Sequence, residues 1–426
     1  PVSNTMWGMD MSYQTQSRLI TKLVDALPGI STKAPSNVSF IGEFAQFIPG
    51  HSNVIGKSGT SYIDDFEGAQ STIDLKNYST WFLASTPQGQ LDLFPETEIT
   101  LSRKKQIDIG LNRANLAWYI IDPLFYDRNT NLVPPNISKN ELSKNSTRQV
   151  LETEVFPNKD IPTGTPTNIP VFNMAYYPSD KGSYNYDAIP TDISAGIDED
   201  GNLLDPESRW GGVMRRIEST DFEATNVEYI EFWLMDPFTE DSANPGKLYI
   251  NLGDISEDIL RDSRKSYENG MPTTAEVTNV DTTGWGRVPN IQSLVESFAN
   301  EPESRPYQDV GYDGLGDNDE RTFYGDGPYH NYLDTINSKF GPNSLAYQQA
   351  LSDPSTDNYH YFRGTDYDND PTYSSLLERY KKFNRSQGNS PTDEQNPESY
   401  PTAATTVPNI EDLNRDNTCL LYTSPS

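Results

Sequence analysis

The sequence predicts a mainly β chain of short strands joined by long, polar, turn-rich loops, working outside the cytosol. Three observations predict it. Tyr, Phe and Trp number 25, 17 and 6 although only 34% of the 426 residues are hydrophobic, and so rich an aromatic content argues against general disorder. Asn, Asp, Pro and Gly are frequent beside the Tyr, a mixture that favours short strands and turns. Acids outnumber bases 62 to 32, for a net charge of -30, which excludes a nucleic-acid partner because such binders cluster Lys and Arg.

The length suits two or three domains. One cysteine, Cys419, leaves no disulfide framework and no Cys-based metal site. The chain opens on Pro1 without a charged start and apolar core, so we expect an internal piece of a longer protein whose targeting signal lies upstream. No run approaches the ~18 apolar residues of a membrane helix, so any membrane contact falls to β-strands.

Residues 1–50 carry balanced charge: Asp10, Asp25 and Glu43 against Arg18, Lys22 and Lys33. In "MWGMDMSYQTQSRLITKL" the odd positions are mostly apolar, with Trp7, Met9, Met11, Tyr13, Leu19 and Leu23, while the even positions Gly8, Asp10, Ser12, Gln14, Gln16, Arg18 and Lys22 are small or polar. "NVSFIGEFAQFI" repeats the pattern with Val38, Phe40 and Phe44, and "DALPGISTKAPS" links the two as a short turn-rich segment. Outer-membrane barrel strands alternate in this way, and so does an ordinary half-exposed hairpin.

Residues 51–300 read as a β-sandwich, jelly-roll-like, built from "STWFLAS", "LAWYIIDPLFY", "VFNMAYY", "VEYIEFWLMDPF" and "GKLYINLGDI". "DEDGNL" is a hairpin turn, and "SEDILRDSRKSYENG" a helix capped by Ser256 and ended by Gly270. A repeated "DFE", at 65–67 and 221–223, precedes Trp81 and Trp233 and is too short to establish a duplication. Residues 301–418 form an acidic, loop-rich cap: "PTYSSLLERYKKFN" is a short amphipathic helix, and 386–409 a Pro/Ser/Thr-rich extended stretch. The final "CLLYTSPS" (419–426) breaks from what precedes it and reads as a non-native tail.

Catalytic patterns are missing. His51, His330 and His360 are scattered outside any HExxH, and no GxSxG, Walker A or GxGxxG occurs, so we expect no catalysis. The candidate chemistry lies in "GYDGLGDNDE" (311–320), where Asp313, Asp317 and Asp319 supply hard oxygens for structural calcium without following EF-hand spacing. "DYDND" (366–370) begins like an EF-hand but meets Pro371 and Leu377 where Gly and Glu belong. Solvated acidic loops with Asx-turns are the favoured reading of both stretches, and structural calcium is the alternative. Trp81 and Trp233 are expected in the core, and Trp210 and Trp285, flanked by Gly, at the surface. A secreted carbohydrate-binding or adhesion module with stacking tryptophans is therefore the alternative function.

Longer strings are more specific. "LITKLVDALPGISTKAPSNV", "IGKSGTSYIDDFEGAQ", "NRANLAWYIIDPLFY", "MAYYPSDKGSYNYD", "RWGGVMRRIESTDFEATNVEYIEFWLMDPF", "INLGDISEDILRDSRKSYENGMP", "QDVGYDGLGDNDE" and "YHYFRGTDYDND" follow one another in the order found in the SprA (Sov) family. The chain resembles this family, the outer-membrane translocon of the Bacteroidetes type 9 secretion system and a gliding-motility protein, from about residue 4 to residue 418. The resemblance implies a fragment of a very large transmembrane β-barrel, with residues 1–50 as one strand hairpin and Trp7, Met9, Met11 and Tyr13 toward lipid. It also implies partners: secreted cargo proteins, a smaller barrel shuttle, a plug protein and outer-membrane lipid. Bacterial barrels have short periplasmic turns and long extracellular loops, which puts the insertion after Pro49 outside or in the lumen. An acidic, wet surface there discourages non-specific association.

Overall fold

The structure, a computed structural model, describes residues 5–29, 35–48, 73–98, 106–127, 133–219, 222, 227, 229–236, 246–327, 330–383, 388–390 and 407–416. Two compact units emerge: Pro1–Thr72 with Asp221–Tyr229, and Ile73–Thr220 with Ile230–Ser426.

In the first unit, β1 (Thr5–Ser17) pairs antiparallel with β2 (Ser36–Ile48) over their whole length. The register sets Met9 opposite Phe44, Tyr13 opposite Phe40 and Thr15 opposite Val38. Directly opposed residues share a face, so the apolar sets of both strands coincide, and Trp7 packs its ring 5.2 Å from Phe44. The other face carries Asp10 opposite Glu43 and Gln14 opposite Ser39. The alternation does not extend to Leu19 and Leu23 as expected. The strand stops at Ser17, whose hydroxyl accepts from the Ile20 amide and opens α1 (Arg18–Asp25). Residues four apart fall together on a helix as well as on a strand, so Leu19 and Leu23 fit both periods.

The second unit is not the expected β-sandwich. Among the described residues every sheet is two-stranded: β3 (Phe82–Leu83) with β8 (Val213–Met214), β4 (Ala114–Tyr119) with β7 (Asn173–Lys181), β5 (Val150–Leu151) with β6 (Asn168–Ile169), and β9 (Val280–Thr282) with β10 (Arg287–Pro289). Short helices punctuate the loops: α2 (Glu152–Val155), α3 (Arg305–Gln308), α4 (Asp317–Asp326), α5 (Tyr332–Phe340), α6 (Leu345–Ser352) and α7 (Leu376–Tyr380). The fold is thus a mixture of short strands and helices, with no closed barrel among the described residues.

Side chains supply much of what a sheet ladder would otherwise provide. Buried Glu268 accepts from the amides of Val310, Gly311 and Asn409, and Glu411 from those of Ile259 and Ser266. Asn185 donates to the carbonyls of Leu111 and Arg113. Buried backbone groups demand partners, and carboxylates and amides can supply them where the chain is too irregular for strands. The Asn- and Asp-rich composition therefore serves loops more than hairpins. "SEDILRDSRKSYENG" shows it: Asp258 accepts from the amides of Asp262 and Ser263, Arg261 and Ser263 take positive φ, and the expected helix gives way to an irregular loop with one 3₁₀ turn at Glu268–Gly270. "DEDGNL" is the expected turn, with Ile197 bridging Leu203 and Gly201 at φ 89°.

Aromatics fill the interior. One cluster gathers Trp118, Tyr184, Tyr186, Trp285, Tyr312, Tyr324, Tyr332 and Ile336; a second stacks Tyr119 on Tyr380 beside Phe125 and Phe362. Two of the tryptophans reverse the expectation. Trp285 is fully buried, edge-on to Tyr184, whereas Trp233 is 74% exposed and touches Phe156. Trp81 and Trp210 are half-buried against the first cluster, Trp210 donating to Glu96. The stretches around Trp233 and Tyr249, expected as strands, form none among the described residues, and their large side chains are exposed. The first "DFE" and the 419–426 tail lie outside the described residues; of the second "DFE" only Phe222 is described.

Candidate metal centre

The "GYDGLGDNDE" stretch folds as a tight turn that runs into α4. Gly311 and Gly314 sit at φ 71° and 68°, in the left-handed region that favours glycine. A Cβ on Gly311 would lie 2.2 Å from an Asp357 oxygen, and one on Gly314 would lie 2.1 Å from the Arg287 carbonyl. The turn can therefore press its backbone against Asp357 downstream and Arg287 upstream only because both are glycine.

The turn buries Asp313, which is 1% exposed. Its Oδ1 accepts from the Leu315 amide, and its Oδ2 from the hydroxyls of Tyr324 and Ser355. In α4, Asp317 and Glu320 are three residues apart and share a face. Asp319 lies off that face, exposed, and pairs with Arg287 at 2.7 Å. Of the three sequence candidates, the fold thus takes Asp313 and Asp317 inward and leaves Asp319 at the rim.

Two further acids arrive from the "DPSTD" loop (353–357). Asp357 is buried, accepting from the Tyr184 hydroxyl and the Asn389 side-chain amide, and its own amide donates to Asp353. Lys382 stands 3.5 Å from Asp353. One oxygen each from Asp313, Glu320 and Asp357 lies within 4.8 Å of the others, and the same holds for Asp317, Glu320 and Asp353. Glu320 belongs to both triads. It is fully buried; Oε2 accepts from the Ser355 amide, while Oε1 has no hydrogen-bond partner among the described residues.

The electrostatics follow from this crowding. Burial pushes the Glu320 and Asp357 carboxyls well above the usual carboxylate range, and repulsion from neighbouring acids adds to it. Burial also raises Asp313, opposed by the hydrogen bonds it accepts. The neighbouring phenols of Tyr184, Tyr186 and Tyr324 are held protonated by burial and serve the site as donors.

The "DYDND" acids do not converge. Asp366 meets His360 at 3.0 Å, Asp368 meets Arg379 at 2.8 Å, and Asp370 caps the turn at Thr372. Sequence reasoning missed Glu320, Asp353 and Asp357. The i,i+3 spacing of Asp317 and Glu320 was a local signal, available once the helix was recognised. Nothing local ties residues 353–357 to it.

Residues 331–422 match the family model SprA_N, a motility related/secretion protein. The matched segment takes in α5, α6, α7 and the two acids of the "DPSTD" loop. No curated protein matches the chain. This match over part of the chain is consistent with a member of the SprA family of motility- and secretion-related proteins.

Proposed function

We propose, from that match, that the chain is part of a protein-conducting outer-membrane channel that exports folded proteins in the type 9 secretion system and supports gliding motility, without catalysis of its own. The observation that carries the membrane part of this reading is the β1–β2 register. Thirteen residues on each strand pair without a shift, more than the ~9–11 a tilted barrel strand requires. Trp7, Met9, Met11, Tyr13, Phe40 and Phe44 fall on one face, all exposed, and Asp10, Gln14, Ser39 and Glu43 on the other. An isolated two-stranded ribbon is marginal in water, whereas lipid on one side and neighbouring strands at both edges would complete it. Secreted cargo, a smaller barrel shuttle, a plug protein and outer-membrane lipid are its partners in this reading, with the second unit extracellular or in the lumen. The net charge of -30 suits that place, keeping a conduit wet and non-adhesive.

The test is single-cysteine labelling in the full-length protein in cells. A lipid-phase probe should modify cysteines at positions 9 and 11 and spare those at 10 and 12. Equal labelling of all four, or recovery of the protein in a soluble fraction that retains glycans, would favour the secreted binding module instead.

A further inference from the structure

We propose that the two carboxylate triads form a structural calcium centre in which Glu320 is the shared, bridging ligand, Asp313 and Asp357 complete one side, and Asp317 and Asp353 complete the other. This goes beyond the transport reading and stands or falls without it. Five acids converging is not sufficient ground, since a chain this acidic gathers carboxylates by chance. The second observation is the Glu320 side chain itself. It is wholly buried, it lies at the overlap of both triads, and its Oε1 has no hydrogen-bond partner among the described residues.

Two other buried glutamates of this fold behave differently. Glu268 and Glu411 each spend both oxygens on backbone amides, so their burial is explained without a ligand. Glu320 spends one on Ser355 and leaves the other without a donor, in the group it forms with Asp313 and Asp357 and with Asp317 and Asp353. A buried oxygen left without a donor carries a desolvation cost that a cation would remove.

The spacing fits the ion. Calcium binds oxygen at about 2.3–2.6 Å, so oxygens on opposite sides of one ion lie up to roughly 5 Å apart, and the 4.8 Å spread within each triad is compatible with a common ion. Ligands that are all carboxylate oxygens, on a glycine turn and a short loop, suit calcium's adaptable shell of 6–8 oxygens better than the strict octahedron of magnesium. The Tyr184 and Tyr324 hydroxyls then donate to Asp357 and Asp313 and orient the ligating carboxylates. The centre would pin the 311–320 turn to the 353–357 loop, two segments that meet without any strand between them.

The experiment uses the full 426-residue chain, stripped with EDTA and melted with calcium chloride, magnesium chloride or chelator, with terbium luminescence as a direct probe. Terbium takes calcium sites and is sensitised by nearby aromatics, here Tyr184, Tyr186, Tyr324 and Trp285. At about 2 mM calcium and a dissociation constant of roughly 0.1 mM, the melting temperature should rise by about 2–3 °C. Asp319→Asn should keep both the shift and the luminescence, and Glu320→Gln should lose both. Should Glu320→Gln not fold, the wild-type titration and Asp353→Asn carry the test. Identical wild-type melting in calcium and chelator without terbium emission would overturn the proposal and leave a cluster held by protons. An equal shift with magnesium, or loss of the shift in Asp319→Asn, would overturn it as well.

Discussion

Arg209 offers the sharpest test of how this loop-built unit is held together. Its guanidinium is fully buried and pairs with Asp187 at 2.9 Å. It also donates to the carbonyls of Leu111, Gly196 and Leu204, to Ser194 Oγ and to Asn112 Oδ1. Arg209→Met strands the Asp187 charge, and breaking a buried pair from one side costs about 3–5 kcal/mol. The carbonyls respond unequally. Leu111 keeps the Asn185 amide and Gly196 keeps the Leu204 amide, but Leu204 loses both of its bonds. Leu204 is exposed enough for water to reach it, so the low end of the ~1–3 kcal/mol for a stranded carbonyl applies. The sum for Arg209→Met is about 4–6 kcal/mol, a large share of the ~5–15 kcal/mol that holds a typical domain. Asp187→Asn should cost about 3 kcal/mol, since the amide oxygen can still accept from Arg209. The double variant should be more stable than Arg209→Met alone, because no charge is left behind, and should stay about 1–3 kcal/mol below wild type. Urea unfolding followed by tryptophan fluorescence measures all four corners of the cycle. Additive single effects would refute the ion pair, and a double variant equal to wild type would refute the role of the carbonyls.

Three other outcomes can be checked with simpler experiments. Trp285→Ala should cost about 3–5 kcal/mol by emptying a packed site, whereas Trp233→Ala, removing an exposed ring, should stay within about 1 kcal/mol; chemical denaturation of the two variants compares them directly. Met11→Arg, at the middle of β1 on the apolar face, should destabilise a lipid-inserted barrel by roughly 2–4 kcal/mol and Ser12→Arg far less, read from refolding into lipid vesicles. His330 packs on Tyr186, Phe323 and Tyr324 with neither ring nitrogen hydrogen-bonded among the described residues, and burial lowers it to about 4. Its unfolded value near 6.5 is higher, so the unfolded chain binds the proton first, and the stability it contributes is complete above about pH 6.5 and lost as the pH falls toward 4. The loss should reach about 2–3 kcal/mol, and His330→Phe should flatten that part of the pH profile relative to wild type.

Some of this was written locally. Strict alternation from Trp7 to Tyr13 dictates a strand whatever surrounds it, because neighbouring side chains of an extended chain point to opposite faces. "DEDGNL" dictates a turn, since Gly201 can take a positive φ and Asp198 accepts the amides that follow it. The resemblance to the SprA family was legible too, in long ordered strings, and the SprA_N match at residues 331–422 overlaps them. Other features were decided only in three dimensions. Apolar stretches such as "VEYIEFWLMDPF" have strand-like composition, but a strand exists only where a partner edge accepts its amides, and among the described residues none does. Trp233 and Trp285 could not be sorted by their neighbours, because burial is set by what packs on them. Asp319 looked equivalent to Asp317 until the helix turned it outward to Arg287, and Asp353 and Asp357 joined the centre through a contact that spans more than thirty residues. Local sequence sets the dihedral preferences and the side-chain period of each short segment. Which segments meet, and therefore which acids lose their water together, depends on packing summed over the whole unit, and no short window contains that sum.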